Sequence, residues 1–381
     1  MDNEHIGKNS LENIKHLLKE KNFKKILVFS GKKSFLDSGA ESQLNTILFK
    51  LKYEVFYKTN QLPDIADLKK FIIKINNFKP DLIVAIGGGA VLDLAKASNC
   101  LHNCKNLEES IKNSSYELNN FCELIAVPTT AGSGAETTSS AVMYVNKIKY
   151  SVEGKKIKPN HIIIDPNLIL STPKLIAAAS GMDAIAQSIE SLLSKKSTKE
   201  SVEYAVQSLK YLLPFYELHI NNSNFKTAYK MSIGALNAGK AINISKTTAP
   251  HAVSYPFTSE HGISHGHAVA LTLSDFLKFN FENILSAKVK FDLNERYKIL
   301  FSEFRVKDTD ELKSKLSKMA EKTGLELDLK KLNINNADQI ENILKGINHQ
   351  RLSNNPIDID ISVIRKILVS KLQSQHTKCC Y

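Results

Sequence analysis

The stretch DLIVAIGGGAVLDLAKA, residues 81–97, restricts the possible folds more than any other part of the chain. Asp81–Ile86 is an apolar, β-prone run of strand length. It breaks at Gly87-Gly88-Gly89, and apolar residues at helical spacing follow from Val91 to about Asn99. Glycines at a strand-to-helix junction let backbone approach a pyrophosphate, and the helix N-terminus adds amide donors and a favourable dipole. A tight turn alone would also require glycine, and the spacing is not GxGxxG. Asp93 and Lys96 are what make the segment specific, although an acidic residue in a first turn also complements the helix dipole.

The same alternation runs through the first 170 residues. Strands are expected at 24–30, 53–59, 123–127 and 161–164, with a hairpin at 141–152 and a helix at 65–78. Strands alternating with helices predict a parallel α/β sheet of the dinucleotide-binding kind. Beyond Pro173 strand-like runs nearly vanish. Helical periodicity takes over at 199–213, 227–242, 271–284, 310–322, 337–346 and 361–372. The chain therefore reads as an α/β domain, residues 1–172, followed by an all-helical domain, residues 173–381. A cleft between two such domains is where ligand sites concentrate. Residues 1–12 and 373–381 read as loose ends.

Composition removes several classes of function. The charge of +12 comes from 51 basic against 39 acidic residues, scattered in short pairs rather than gathered into a nucleic-acid footprint. No apolar run reaches membrane-spanning length, and the first ten residues lack the apolar core of a signal peptide. Cys100, Cys104, Cys122, Cys379 and Cys380 form neither a disulfide framework nor zinc-finger spacing, and the KCCY end is not a prenylation signal. Reduced thiols in the cytoplasm are expected.

Three more segments carry chemistry. PTTAGSGAETT, residues 128–138, follows a strand and concentrates hydroxyls (Thr129, Thr130, Ser133) with flexible glycines. Two such loops at the carboxyl ends of neighbouring strands point to the edge where open α/β sheets bind ligands. In GMDAIAQSIES, residues 181–191, Asp183 and Gln187 are four apart and share one helix face. A carboxylate on a mostly apolar helix is costly to bury unless it is paired or ligates a cation. KTTAPHAVSYPFTSEHGISHGH, residues 246–267, holds His251, His261, His265 and His267, four of the eleven histidines. Imidazole clusters of this density serve as metal ligands or proton carriers, and His251 and His265 with Asp183 would complete a set for a divalent ion.

In this order and over residues 24–372, including NNP at 354–356, the segments resemble the iron-containing (group III) alcohol dehydrogenase family, whose wider group includes glycerol dehydrogenases and dehydroquinate synthase. The resemblance implies a dehydroquinate synthase-like fold and a site between its domains. It also implies a nicotinamide cofactor, NADP(H) or NAD(H), a divalent metal with Fe²⁺ first and Mn²⁺, Mg²⁺ or Zn²⁺ as alternatives, and a homodimer. Carried across, the pyrophosphate loop falls on Gly88, Gly89 and Ala90, with Asp93 following. The second nucleotide loop falls on Thr129, Thr130 and Ser133, and a cofactor-touching lysine on Lys149. The metal ligands fall on Asp183, Gln187, His251 and His265.

The chain departs from the family pattern in three places. Gln187 replaces a histidine, and its amide oxygen suits hard cations better than soft ones. Tyr255 stands where many relatives carry a histidine; Tyr255, His261 or His267 can deliver the proton. After the first strand, Ser30-Gly31-Lys32-Lys33-Ser34 replaces the usual ribose-binding Asp, which favours NADP(H). Lys246, Thr247 and Thr248 precede the histidines and suit an anionic head group on a short aldehyde. That run, with Gln187, resembles the phosphonoacetaldehyde reductase branch and implies reduction of phosphonoacetaldehyde to 2-hydroxyethylphosphonate. General reduction of small neutral aldehydes is the alternative, and a dehydroquinate synthase-like lyase a further one.

Overall fold

The apolar runs of the first half become strands of one parallel sheet in the computed structural model, which describes residues 3–373. The strands of that sheet are β1 (Glu4–Ile6), β2 (Lys25–Ser30), β3 (Lys52–Tyr57), β4 (Leu82–Gly87), β5 (Glu123–Pro128) and, last in the chain, β8 (His161–Ile164). Their order is β1-β8-β5-β4-β2-β3, and every pairing is parallel. The intervening β6 (Ser140–Val145) and β7 (Ile148–Glu153) form a separate antiparallel hairpin. Helices α1 (Asn13–Lys21), α2 (Lys32–Asp37), α3 (Ala40–Leu48), α4 (Ile65–Phe78), α5 (Gly89–Cys100) and α6 (Leu107–Asn113) complete this part.

The central strands are apolar throughout because both faces are covered. Leu27, Phe29, Ile83 and Ala85 pack with Phe71, Leu92 and Ala95 on one side. Their neighbours in sequence, Ile26, Val28, Val84 and Ile86, pack with Ile14, Phe35 and Leu44 in a second cluster. Register matters for function here. Ile86 pairs with Val127 and Gly87 with Pro128, so the glycine-rich and hydroxyl-rich loops leave adjacent strands side by side.

Residues expected to be loose at the N-terminus are not. β1 pairs with β8 through Glu4, His5 and Ile6, and Leu11 is fully buried. A three-residue strand carries too little pattern to be recognised in sequence, but an open sheet edge recruits it. The KCCY end lies outside the described residues.

From Lys174 on the chain is helical: α7 (Lys174–Leu193), α8 (Lys199–Asn221), α9 (Phe225–Ser245), α10 (Ala249–His261), α11 (His265–Glu282), α12 (Leu293–Phe304), α13 (Thr309–Thr323), α14 (Ala337–Lys345), α15 (His349–Leu352) and α16 (Ile361–Gln373). The chain forms two compact units. One holds residues up to Pro173 together with Asn222–Gly239; the other holds Lys174–Asn221 and the residues from Lys240 onward. Among the described residues no helix is long and apolar enough to cross a membrane.

The histidine-rich stretch, unassigned by periodicity, is itself two helices. α10 carries Pro256 in its interior, which removes one helical hydrogen bond and normally breaks a helix. The carbonyl left over, Ala252 O, instead accepts the backbone N–H of Asn348 at 3.1 Å. The helix survives because a segment nearly a hundred residues away supplies the missing donor.

Candidate active site

In the first unit the two loops after β4 and β5 form one surface. A Cβ built on Gly89 would lie 2.6 Å from Ser133 Oγ, and one on Gly88 would lie 3.6 Å from Thr130. The loops therefore touch only because Gly89 lacks a side chain. Thr129 Oγ1 is buried without a hydrogen-bond partner, and Thr129 O accepts from the Thr172 hydroxyl at 3.1 Å. Two backbone-lined turns, a buried hydroxyl and the opening of α5 fit a dinucleotide.

Behind this surface Lys96 is wholly buried. Its Nζ donates to Ala135 O at 2.7 Å, to Thr138 Oγ1 at 3.0 Å and to Ser140 O, and it pairs with Asp93 at 3.6 Å. Lys96 thus ties the second loop to α5. Burial pushes the Asp93 carboxyl up, against the pull of Lys96 and Lys149, and raises that of neighbouring Glu136 to about 7. Lys149 Nζ donates to Ser151 Oγ at 2.7 Å. Gly31 ends β2, and Lys32 and Lys33 are exposed at the start of α2.

In the second unit Asp183, His251 and His265 meet. One ligand atom from each lies within 4.8 Å of the others. α7 supplies Asp183, α10 His251, and His265 is the first residue of α11. Gly266 makes the approach possible: a Cβ there would sit 2.0 Å from Ala179 O and 2.7 Å from Asp183 Cβ. Gln187, one turn beyond Asp183, donates its amide to Asp183 Oδ2 at 3.2 Å. In that orientation the amide nitrogen faces the cluster, and ligation through oxygen needs the amide turned over.

Glu190, which the motif reading passed over, completes the arrangement. It is 1% exposed and lies seven residues beyond Asp183 on the same helix face. Its Oε2 accepts the N–H of Thr248 at 2.6 Å and the Thr248 hydroxyl at 2.9 Å, and Oε1 bonds His251 Nδ1. His251 Nε2 is then left facing Asp183 Oδ1 at 3.2 Å. A neutral ring with its proton on Nδ1 would set two acceptors against each other, so either a proton or a cation must lie between them. Without a metal it is the proton. Burial would lower the His251 pKa, but Glu190 and Asp183 override it and raise it to about 9. Burial likewise opposes ionisation of Asp183, yet His265 and the bond from His251 hold its carboxyl below the usual value. Two nitrogen donors and one carboxylate with an adjacent amide, buried together, fit a divalent ion.

The three proton candidates separate. Tyr255 lies on α10 with its ring parallel to His265, 5.4 Å between centroids. Burial raises its phenol to about 12, against the pull of hydrogen-bonded Arg351. His267 Nε2 bonds the carbonyl of Glu326 at 2.5 Å, which gives it a backbone-anchoring role. His261 ends α10 with its ring 6.5 Å from Phe257, and burial lowers its pKa. Lys246 is half-buried with φ 61°, between buried Ser245 and Thr247. Thr248, expected to face the substrate, has its hydroxyl proton engaged by Glu190.

Comparison with known proteins was made on this basis. The iron-containing alcohol dehydrogenase family matches residues 3–166, and the C-terminal part of the Fe-containing alcohol dehydrogenase family matches residues 177–372. The phosphonoacetaldehyde reductase of Streptomyces viridochromogenes is 28% identical over 218 residues, covering 54% of this chain and 55% of that protein. An aldehyde-alcohol dehydrogenase of Streptococcus pneumoniae is 26% identical over 286 residues, covering 71% of this chain and 32% of that protein. The chain thus spans about half the length of the first relative and a third of the second. Among solved structures, sulfoacetaldehyde reductase from Bifidobacterium kashiwanohense in complex with NAD⁺ superposes with a TM-score of 0.86 at 26% identity, covering 98% of this chain and 97% of that one. The iron-containing alcohol dehydrogenase of Thermococcus thioreducens shares the fold, with a TM-score of 0.85 at 22% identity, covering 97% of this chain and 98% of that one.

Proposed function

The chain belongs to the iron-containing alcohol dehydrogenase family, and on that premise we propose that it reduces a short aldehyde bearing a tetrahedral anion, with phosphonoacetaldehyde as the substrate and 2-hydroxyethylphosphonate as the product. Such enzymes use a nicotinamide cofactor and a divalent metal. The reading rests on Lys246. A flexible cation would normally lie in solvent, yet this one is half-buried on the short connection between α9 and α10, five residues before His251. Two of the relatives above also act, by their names, on aldehydes ending in a phosphonate or a sulfonate.

In this reading Asp183, His251 and His265, with Gln187, hold the metal. Gly88, Gly89, Asp93, Thr129, Thr130, Ser133 and Lys149 hold the nucleotide, and Gly31 begins the ribose turn. Lys32 and Lys33 beyond it favour a 2′-phosphate, hence NADP(H). When bound, the cation supplies Lewis acidity to the aldehyde oxygen, and the reduced nicotinamide supplies the hydride. Lys246 neutralises the phosphonate, and the Thr247 hydroxyl adds a donor. Tyr255 retains its proton at neutral pH and passes it to the product oxygen, with Arg351 stabilising the phenolate left behind. His267 and His261 support the helices around it.

The test is NADPH oxidation with phosphonoacetaldehyde and with propanal, in the wild-type enzyme and in Lys246→Met. Preference for the phosphonate in the wild type, lost at least tenfold in the variant while propanal turnover holds, is expected. Equal losses on both aldehydes would refute the anion role, and a wild type preferring propanal would return the enzyme to general aldehyde reduction.

A further inference from the structure

We infer that Glu190 is a positioning residue for the metal: it fixes His251 as an Nε2 ligand and supplies the second buried negative charge that a divalent ion requires. The inference rests on the reading of Asp183, His251 and His265 as the metal set. Of the donors gathered there, only Asp183 carries a formal negative charge once the histidines are neutral, because Gln187 is an uncharged amide. A divalent cation buried against one carboxylate keeps an uncompensated charge, which is costly away from water. Glu190 stands one hydrogen bond beyond His251 and is itself buried, so it balances that charge without occupying a ligand position.

Geometry gives Glu190 a second task. Asp183, Gln187 and Glu190 lie at i, i+4 and i+7 on α7, so a single helix face presents the carboxylate ligand, the amide and the histidine's anchor. His251 is held at Nδ1, which directs the Nε2 lone pair toward Asp183 and makes the imidazole a stronger donor. The anchor cannot swing away. Its other oxygen is clamped by the N–H and hydroxyl of Thr248, the N-cap of α10, three residues before His251. The carboxylate also meets the positive end of that helix's dipole. Thr248 therefore orients Glu190, and Glu190 orients His251.

The experiment measures Co²⁺ and Mn²⁺ binding to metal-stripped full-length protein by calorimetry, for wild type, Glu190→Gln, Glu190→Asp and His265→Ala. Glu190→Gln preserves size and hydrogen bonding but removes the charge, and roughly ten- to a hundredfold weaker binding is expected. Glu190→Asp should recover part of that loss. In ¹⁵N-histidine-labelled protein, the Nδ1-protonated tautomer of His251 should dominate in loaded wild type and be mixed in the glutamine variant. A purely structural role would lower the melting temperature and leave metal affinity unchanged. Binding by Glu190→Gln within twofold of wild type, with His265→Ala strongly impaired, would overturn the inference and spare the metal set. Unimpaired binding by His265→Ala would overturn both.

Discussion

Replacing Gly266 with alanine should separate the metal set without touching any of its ligands. The added Cβ would stand 2.0 Å from Ala179 O and 2.7 Å from Asp183 Cβ, whereas real Cβ atoms essentially never approach within 3.0 Å. The obstacle is backbone on one side and the ligand residue itself on the other, so α7 and α11 must part by about 1 Å or more. Overpacking of this kind costs about 2 kcal/mol, or a loss of roughly 4–8 °C in Tm for a domain of this size. Asp183 lies on one of those helices and His265 on the other, and metal–ligand distances tolerate only about 0.2 Å. Metal affinity should therefore fall at least tenfold, about 1.4 kcal/mol. Gly262→Ala is the control. Gly262 has φ 69° and no atom within 4 Å of its Cβ position, so alanine costs roughly 1 kcal/mol of backbone strain and leaves the ligands in place. Thermal melts of the apo-proteins and Co²⁺ titrations separate the two effects. If Gly266→Ala binds Co²⁺ like wild type, close approach of α7 and α11 is not what builds the site.

Two further perturbations follow from buried charge. In metal-free protein the folded-state pKa of His251, about 9, lies above the unfolded value. Its contribution to stability is therefore fully present below about pH 6.5 and lost as the pH rises through about 9. Melts should show the apo-protein weakening across that window while the metal-loaded protein does not; parallel curves would refute the proton-for-metal exchange. Lys96→Met would leave Asp93 and three acceptors in the β5–β6 loop without their buried cation, costing about 3 kcal/mol and weakening nucleotide binding. Urea unfolding and NADPH fluorescence titration check this, and unchanged nucleotide affinity would show that the loop holds its shape without Lys96.

What could be read from sequence divides along the range of the interactions involved. Leu82–Gly87 announced itself because a strand covered on both faces is apolar at every position. α4 did so because its apolar stripe repeats within fourteen residues. β1 did not, being three residues long and held by pairing with β8, far along the chain. α10 was hidden for a stronger reason. Pro256 argues locally against a helix, and the donor that repairs it belongs to Asn348. Asp183, His251 and His265 were legible because few alternatives explain buried carboxylate and imidazole in such numbers. That Thr248 serves Glu190 could not be read from the threonine itself.

Glu190 shows why the remainder of such a site escapes inspection of single residues. In sequence it is one glutamate on an amphipathic helix, where a solvated face is the ordinary expectation. The informative fact is a spacing: positions 183, 187 and 190 repeat the apolar period of α7 with polar residues, on a helix whose buried residues include nearly everything from Ala178 onward. A helix buried on that scale has no solvent face to which three polar side chains can turn, so each must find a partner inside. Asp183 and Glu190 both find His251, one at each ring nitrogen. The histidine is thereby fixed from two sides, and the same two carboxylates that hold a proton on it in the empty site provide, with a cation in the proton's place, the charge to hold the metal.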